Sequence, residues 1–302
     1  MRRLLLTLVP MVLLAPAAQA SNDPLYPQQW NLAMVESDAA HAVTRGAGAT
    51  VAVVDTGFTP GHPDLGGRMV GGFDFVDNDG DPTDGEGHGT HVSGIIVANE
   101  NNGIGVGSVA PEARLLAVRV LDDEGSGSNA DVQAGIDYAV KQGADVINLS
   151  LGPDIFGTLL GGSDPAIDRA LDAGVVVVAA AGNSAAPLCQ NPSGQGRLLC
   201  VGAVDRGRQR SSFSSFGFGL GLMGPGGSGS SATGEDVLST LKNGGYGEMA
   251  GTSQAAPHVA GVAALLASSG VKGQAAVRRI LATASDAGPA GPDALYGAGI
   301  VN

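Results

Sequence analysis

Five short runs of mainly apolar, mostly β-branched residues recur along the chain: 49–54 (ATVAVV), 115–121, 146–151, 175–181 and 198–204. Their hydrophobicity is nearly continuous rather than alternating. Strands of that kind must be buried on both faces, which is the condition of a parallel sheet covered by helices. Between the runs, helical periodicity appears at 88–99, 130–142, 165–173 and 253–268. Alternating strand and helix units predict an α/β fold in three layers, α/β/α, around a mostly parallel, doubly wound central sheet. Such sheets carry their sites beyond the carboxyl ends of the strands. Asp55, Ser150 and Asn183 each stand where a run closes, so they become candidates before any motif is considered.

Composition removes several function classes. Lys and Arg number 16 against 29 Asp and Glu, a net charge of −13. Binding to nucleic-acid phosphates needs clustered cations, so no nucleic-acid partner is expected. Two cysteines make neither a disulfide framework nor a four-cysteine zinc site. The first twenty residues read as an address: Arg2 and Arg3, an apolar run from Leu4 to Leu14, then Ala18-Gln19-Ala20 as a cleavage pattern. The run is too short for an uncleaved membrane anchor, so residues 1–20 are expected to be removed on secretion to an extracellular or periplasmic compartment, with no membrane partner afterwards. Oxidising surroundings then favour a local disulfide between Cys189 and Cys200, which flank a loop containing Pro192 and Gly194. Two separate thiols are the alternative. The Gly/Ser-rich segment 217–231 reads as a surface loop, leaving one domain over residues 21–302.

Three patches carry nucleophilic chemistry, which needs a hydroxyl, a base and a carboxylate to orient the base. Asp55 ends VAVVDTGF at the predicted mouth of the sheet; alone it reads equally as a turn aspartate. His88 opens a helix in GHGTHVSG, with His91 as its rival one turn on, and spacing does not choose between them. A zinc reading of the pair lacks the HExxH glutamate. Ser253 lies in GTSQAAPHVAG at the start of an apolar helix, where free N–H groups favour negative charge and Pro257 is expected in the first turn; alone it reads as a helix cap.

Taken together, VAVVDTGF, GHGTHVSG and GTSQAAPHVAG resemble the Asp, His and Ser signatures of the subtilisin-like serine proteases, or subtilases. Ser150-Leu151-Gly152, VVVVAAAGNS at 175–184 and the terminal YGAGIVN resemble further segments of that family, so the likeness runs over essentially residues 23–302. The resemblance implies a subtilisin-like fold and a serine endopeptidase that cleaves protein or peptide substrates as a monomer. It selects His88 as base over His91, with Ser253 as nucleophile and Asp55 as orienting carboxylate. Asn183 and the Ser253 backbone N–H would form the oxyanion hole. Gly125-Ser126-Gly127 and Ser150-Leu151-Gly152 would edge a cleft that binds the substrate as an added strand, with broad specificity and apolar preference.

Calcium is expected as a structural cofactor at two places. Asp77, Asp79, Asp81 and Asp84 crowd one loop, and a hard cation would relieve their repulsion. Separately, Asp64, the Asn102 side chain and the carbonyls of Glu100, Ile104 and Val106 resemble the family's tight calcium site, in a loop one residue longer than usual. Two further departures stand out. Gln254 follows the nucleophile where Met is frequent, which predicts resistance to peroxide. DPLYPQQWNL, which resembles the start of the catalytic unit, begins almost at the predicted cut, with no inhibitory pro-segment between. Two other classes fit less well: a non-catalytic binding protein would lack a triad member, and a serine esterase would show a G-x-S-x-G elbow where residues 251–255 read GTSQA.

Overall fold

The computed structural model describes residues 21–152, 164–189 and 196–302; the expected signal, residues 1–20, lies outside them. The chain builds a seven-stranded sheet from β1 (Thr50–Asp55), β2 (Met69–Asp74), β3 (Arg114–Arg119), β4 (Val146–Leu149), β5 (Val176–Ala180), β6 (Leu199–Val204) and β7 (Leu222–Pro225). Their order is β2-β3-β1-β4-β5-β6-β7, and every pairing is parallel. A separate antiparallel hairpin pairs β8 (Val237–Thr240) with β9 (Tyr246–Met249).

The strand side chains alternate between two cores. Val51, Val53, Leu115, Ala117, Val176 and Val178 face one core with α3 (His88–Val97), α6 (Thr252–Ser268) and α7 (Gly273–Thr283). Ala52, Val54, Leu116, Val118, Ile147, Leu149 and Val177 face the other, with α4 (Asn129–Lys141) and α5 (Pro165–Asp172). Two short helices, α1 (Trp30–Met34) and α2 (Ser37–His41), precede the sheet. The result is the expected α/β/α sandwich, with burial of each Val or Leu worth about 1.5–3 kcal/mol. Caps mark the outer helices: Ser128 accepts from Asp131 N–H at the start of α4, and Asp164 from Ala166 N–H before Pro165 of α5.

The strand order decides where a site can lie. From β1 the chain first builds outward to β2 and β3, then crosses to β4 on the other side. The crevice beyond β1, β3 and β4 is therefore the switch point of a doubly wound sheet. Asp55, the 121–127 loop and Ser150 leave the sheet there. The disulfide between Cys189 and Cys200 is present, joining the segment after β5 to β6. Among the described residues no helix is long and apolar enough to cross a membrane.

Candidate active site

Asp55 is the last residue of β1 and is fully buried. Its Oδ1 accepts from His88 Nδ1 at 2.7 Å and from Thr56 N–H at 2.8 Å. Its Oδ2 has no hydrogen-bond donor among the described residues. A buried carboxylate so placed gains most from a positive charge on the adjacent ring. Burial works against that charge on His88. The Asp55 carboxylate and its hydrogen bond, with Glu86 and Asp84 nearby, outweigh burial and hold the His88 pKa above its usual 6.5. His91, one turn on, has no carboxylate beside it. It is buried, Nε2 donates to Gly247 O at 3.2 Å, and desolvation pushes its pKa down to about 3. Geometry thus separates the two histidines that spacing left equivalent.

The start of α3 explains how His88 is held. Gly87 occupies the N-cap and has no side chain to satisfy the first-turn N–H groups. Glu86 accepts from His88 N–H at 2.7 Å, Thr56 Oγ1 from Gly89 N–H at 2.9 Å and Asp84 from Thr90 N–H at 2.8 Å. Gly89 is required by contact: a Cβ there would lie 2.3 Å from Gly57 O.

Ser253 is the second residue of α6. Its hydroxyl donates to Ser150 O at 3.3 Å, and no hydrogen bond joins it to His88 among the described residues. The structure therefore makes the Asp55–His88 half of the expected triad, with the Ser253 hydroxyl turned to Ser150 O instead. Pro257 corrects the sequence expectation. It stands in the second turn of α6, not the first. A residue there would normally bond its N–H to the Ser253 carbonyl, and proline has none. Ser150 Oγ donates to that carbonyl instead, at 2.8 Å, so the proline opens the place by which α6 is tied to the end of β4.

Asn183 is exposed three residues beyond β5. Its Oδ1 accepts from Thr252 N–H at 2.8 Å and from Thr252 Oγ1 at 3.0 Å, and Thr252 Oγ1 in turn accepts from Gly182 N–H at 3.0 Å. With the oxygen engaged on Thr252, the amide nitrogen has no hydrogen-bond partner among the described residues. The same first turn leaves Ser253 N–H without a backbone acceptor among the described residues. Thr252 was not a candidate from sequence; only its adjacency to Ser253 pointed to it.

A cleft of about 430 Å³ is lined by Thr56, Glu86, His88, Leu121, Gly125, Ser126, Gly127, Ser150 and Gly152. Both expected edges are thus brought together on His88. Leu151 is the exception: its side chain is buried in the core on the α4 and α5 side of the sheet, leaving only its backbone for the cleft. Gln254 is buried, and its amide lies 4.0 Å from Met249 Sδ, so a thioether remains close to the site.

The two calcium expectations fare differently. Asp64 is fully buried, with Oδ1 accepting from Asn102 Nδ2 at 2.7 Å and Oδ2 from Val106 N–H at 2.8 Å. Asn102 Oδ1 accepts from Ile104 N–H at 3.0 Å, and the Glu100 carboxylate is held by Arg45 at 2.8 Å. Asp23, absent from the sequence candidates, is buried beside this loop and accepts from the N–H groups of Asn101, Asn102 and Gly103. Burial raises the Asp64 pKa, and the neighbouring Asp23 charge raises it further. No Lys or Arg pairs with either carboxylate among the described residues.

In the acidic run, Asp77 is held by Arg119 at 2.8 Å, so the repulsion that called for a metal is relieved there by a guanidinium. Asp79 accepts from Asp81 N–H at 2.9 Å and Asp81 from Thr83 Oγ1 at 2.6 Å. Asp84 departs from the expectation, being buried and bonded to the segments of Asp55 and His88. Among the described residues three metal-capable side chains converge at Asp38, His41 and Glu100, where Arg45 already supplies a cation.

Comparison with known proteins identifies the family of the chain. The model of the subtilase family matches residues 46–299. A thermophilic serine proteinase of Bacillus sp. (strain AK1) is 45% identical over 84% of this chain, which spans 61% of that protein's length. Thermitase of Thermoactinomyces vulgaris is 43% identical over 82% of this chain and 86% of its own. Among solved structures, a protease from Pseudoalteromonas arctica superposes with a TM-score of 0.81 at 32% identity, covering 94% of this chain and 97% of the other.

Proposed function

The chain belongs to the subtilase family of serine endopeptidases, and from that premise we propose that Ser253, His88 and Asp55 hydrolyse peptide bonds through an acyl-enzyme. His88 donates its Nδ1 proton to Asp55, so Nε2 carries the lone pair that takes the Ser253 proton. The serine oxygen attacks the scissile carbonyl. Negative charge develops on the carbonyl oxygen and meets Asn183 Nδ2–H and Ser253 N–H, neither of which has an acceptor among the described residues. His88 then returns its proton to the leaving amine, and water repeats the sequence on the ester. The observation that carries this reading is the 2.7 Å bond between a fully buried Asp55 and His88 at the rim of the cleft.

The substrate lies extended between residues 125–127 and 150–152, where glycines admit a peptide backbone. Leu121 and the small neutral residues of the cleft suit apolar side chains at the first pocket. Residues 1–20 act as a secretory signal and residues 21–302 as the catalytic domain. The test is labelling of residues 21–302 with a fluorophosphonate, locating the adduct by mass spectrometry with Ser253→Ala as control. An adduct on Ser253 is expected; labelling elsewhere, or none in folded protein, overturns the assignment.

The Asp64 site fits calcium. Two buried carboxylates, Asp64 and Asp23, stand close together without a cationic side chain among the described residues, beside the 100–106 loop and the Asn102 amide. Asp64, Asn102 and the carbonyls of Glu100, Ile104 and Val106 would hold the ion, which supplies charge neutralisation and ties the 100–106 loop to the chain's start. Chelator is expected to lower the melting temperature, and Asp64→Asn to lower it in the same way while abolishing the chelator's effect. An identical melt with and without chelator removes the calcium reading.

A further inference from the structure

Two segments must keep a fixed distance for the Asp55–His88 bond to exist: the end of β1 and the start of α3. Besides Asp55 and Thr56 themselves, a side chain from the loop between the two segments touches both. Asp84 is buried. Its Oδ1 accepts from Thr56 Oγ1 at 2.9 Å, Glu86 N–H at 3.1 Å and Gly87 N–H at 2.7 Å. Its Oδ2 accepts from Thr90 N–H at 2.8 Å and Thr90 Oγ1 at 2.6 Å. Five donors saturate the carboxylate, and they come from the residue after Asp55 and from both sides of His88. Asp84 is itself fixed to the strand end: its N–H donates to Phe58 O at 3.1 Å, while Phe58 N–H donates to Pro82 O at 2.9 Å.

We infer that Asp84 is a positioning residue, whose carboxylate locks the Asp55–Thr56 strand end and the His88 turn into one frame and adds a fixed negative charge beside the imidazole. The inference rests on the roles proposed above for Asp55 and His88. The packing leaves the frame little slack. A Cβ at Gly57 would lie 2.6 Å from Pro82 O, and one at Gly85 would lie 1.8 Å from Asp123 Oδ1. The carboxylate also faces the free N–H groups at the start of α3, where the helix dipole favours an anion. The charged groups around His88 are Asp55 on β1, Glu86 and Asp84 on its own loop, Asp123 packed on Gly85, and Lys242, whose ammonium donates to the Gly85 carbonyl. Asp55 bonds His88 directly; of the anions on the loop, Asp84 bonds to both the strand end and the helix start.

The roles of bond and charge separate with two variants of the full chain, assayed on a peptide p-nitroanilide. Asp84→Asn keeps the three bonds at Oδ1 but turns an amide N–H₂ toward Thr90 N–H; kcat is expected to fall about tenfold with KM held within about twofold. Asp84→Ala removes the frame, and kcat is expected to fall on the order of a hundredfold, the scale of an ångström's misplacement. In both, the acid limb of kcat/KM moves to lower pH, because an anion that favoured the imidazolium is gone. A structural role alone would lower the melting temperature without moving that midpoint. If Asp84→Ala does not fold, Asp84→Asn decides. An active wild type matched by Asp84→Asn in both kcat and pH midpoint overturns this inference alone. A wild type that cleaves no peptide removes the underlying reading and this inference with it.

Discussion

The two walls of the candidate site, the β1–α3 side and the β5–α6 side, solve opposite problems. On one wall, Asp55 and Asp84 are buried acceptors whose oxygens gather N–H and O–H groups from β1 and α3. On the other, the Asn183 amide nitrogen and Ser253 N–H have no acceptor among the described residues, and Thr252 occupies the amide oxygen. In the proposed reaction the first wall holds negative charge near the ring that becomes positive, and the second offers N–H donors to the oxygen that becomes negative. Neither wall is assembled by the chemistry itself. Both charges are met by groups already in position, so little reorganisation accompanies the reaction.

The donor wall can be broken at two depths. Asn183→Ala removes an oxyanion donor outright. Its kcat is expected to fall on the order of a hundredfold or more with KM nearly constant, the scale known for this family rather than one calculated from the geometry. Steady-state kinetics on a soluble peptide checks it, and a change confined to KM would place Asn183 in substrate binding instead. Thr252→Val leaves Asn183 intact but deletes one of the two bonds on its oxygen and the acceptor of Gly182 N–H. One hydrogen bond is worth about 0.5–1.5 kcal/mol, so kcat should fall by up to about tenfold. A Thr252→Val loss as deep as that of Asn183→Ala would mean that the orientation of the amide, rather than its presence, carries the wall.

The sequence made these walls unequally legible. Strands β1, β3, β4, β5 and β6 were visible because burial on both faces demands unbroken apolar runs. Strand β2, MVGGFD, lies at the sheet's edge, is only partly buried and carries two glycines, so no run forms. Strand β7, LMGP, is four residues at the other edge and ends in a proline that only an edge tolerates. The hairpin of β8 and β9 and helix α7 are not legible, the first because it lies outside the main sheet and the second because GQAAVRRILAT opens on a glycine behind Lys272, whose side chain makes no cap bond. In the site, residues that act through their own functional groups stood out in motifs. Those that act through distant backbone N–H groups did not: Asp84 was read with its acidic neighbours, Asp23 was not singled out, and Thr252 was passed over beside Ser253. Their partners lie up to about eighty positions away, at distances only the fold reveals.

The acceptor wall can be sharpened by its weakest member. Glu86 is exposed, lines the cleft and accepts from His88 N–H at 2.7 Å, yet it pairs with no Lys or Arg among the described residues. Its charge is one of those that hold the His88 pKa above 6.5. The base works only when neutral, so the acid limb of kcat/KM should have its midpoint above 6.5 in the wild type and rise with pH through it. In Glu86→Gln one anion is lost, the imidazolium is favoured less, and the midpoint moves down toward 6.5. The shift should be small, because an exposed charge is screened by water and salt. It should shrink further as ionic strength rises and the Debye length falls from about 10 Å at 0.1 M to about 3 Å at 1 M. The contribution of Asp55, fully buried, should persist at the same salt. A midpoint that moved upward in Glu86→Gln, or a wild-type midpoint that collapsed in high salt, would show that the wall does not divide into a buried, salt-resistant carboxylate and a screened one at its rim.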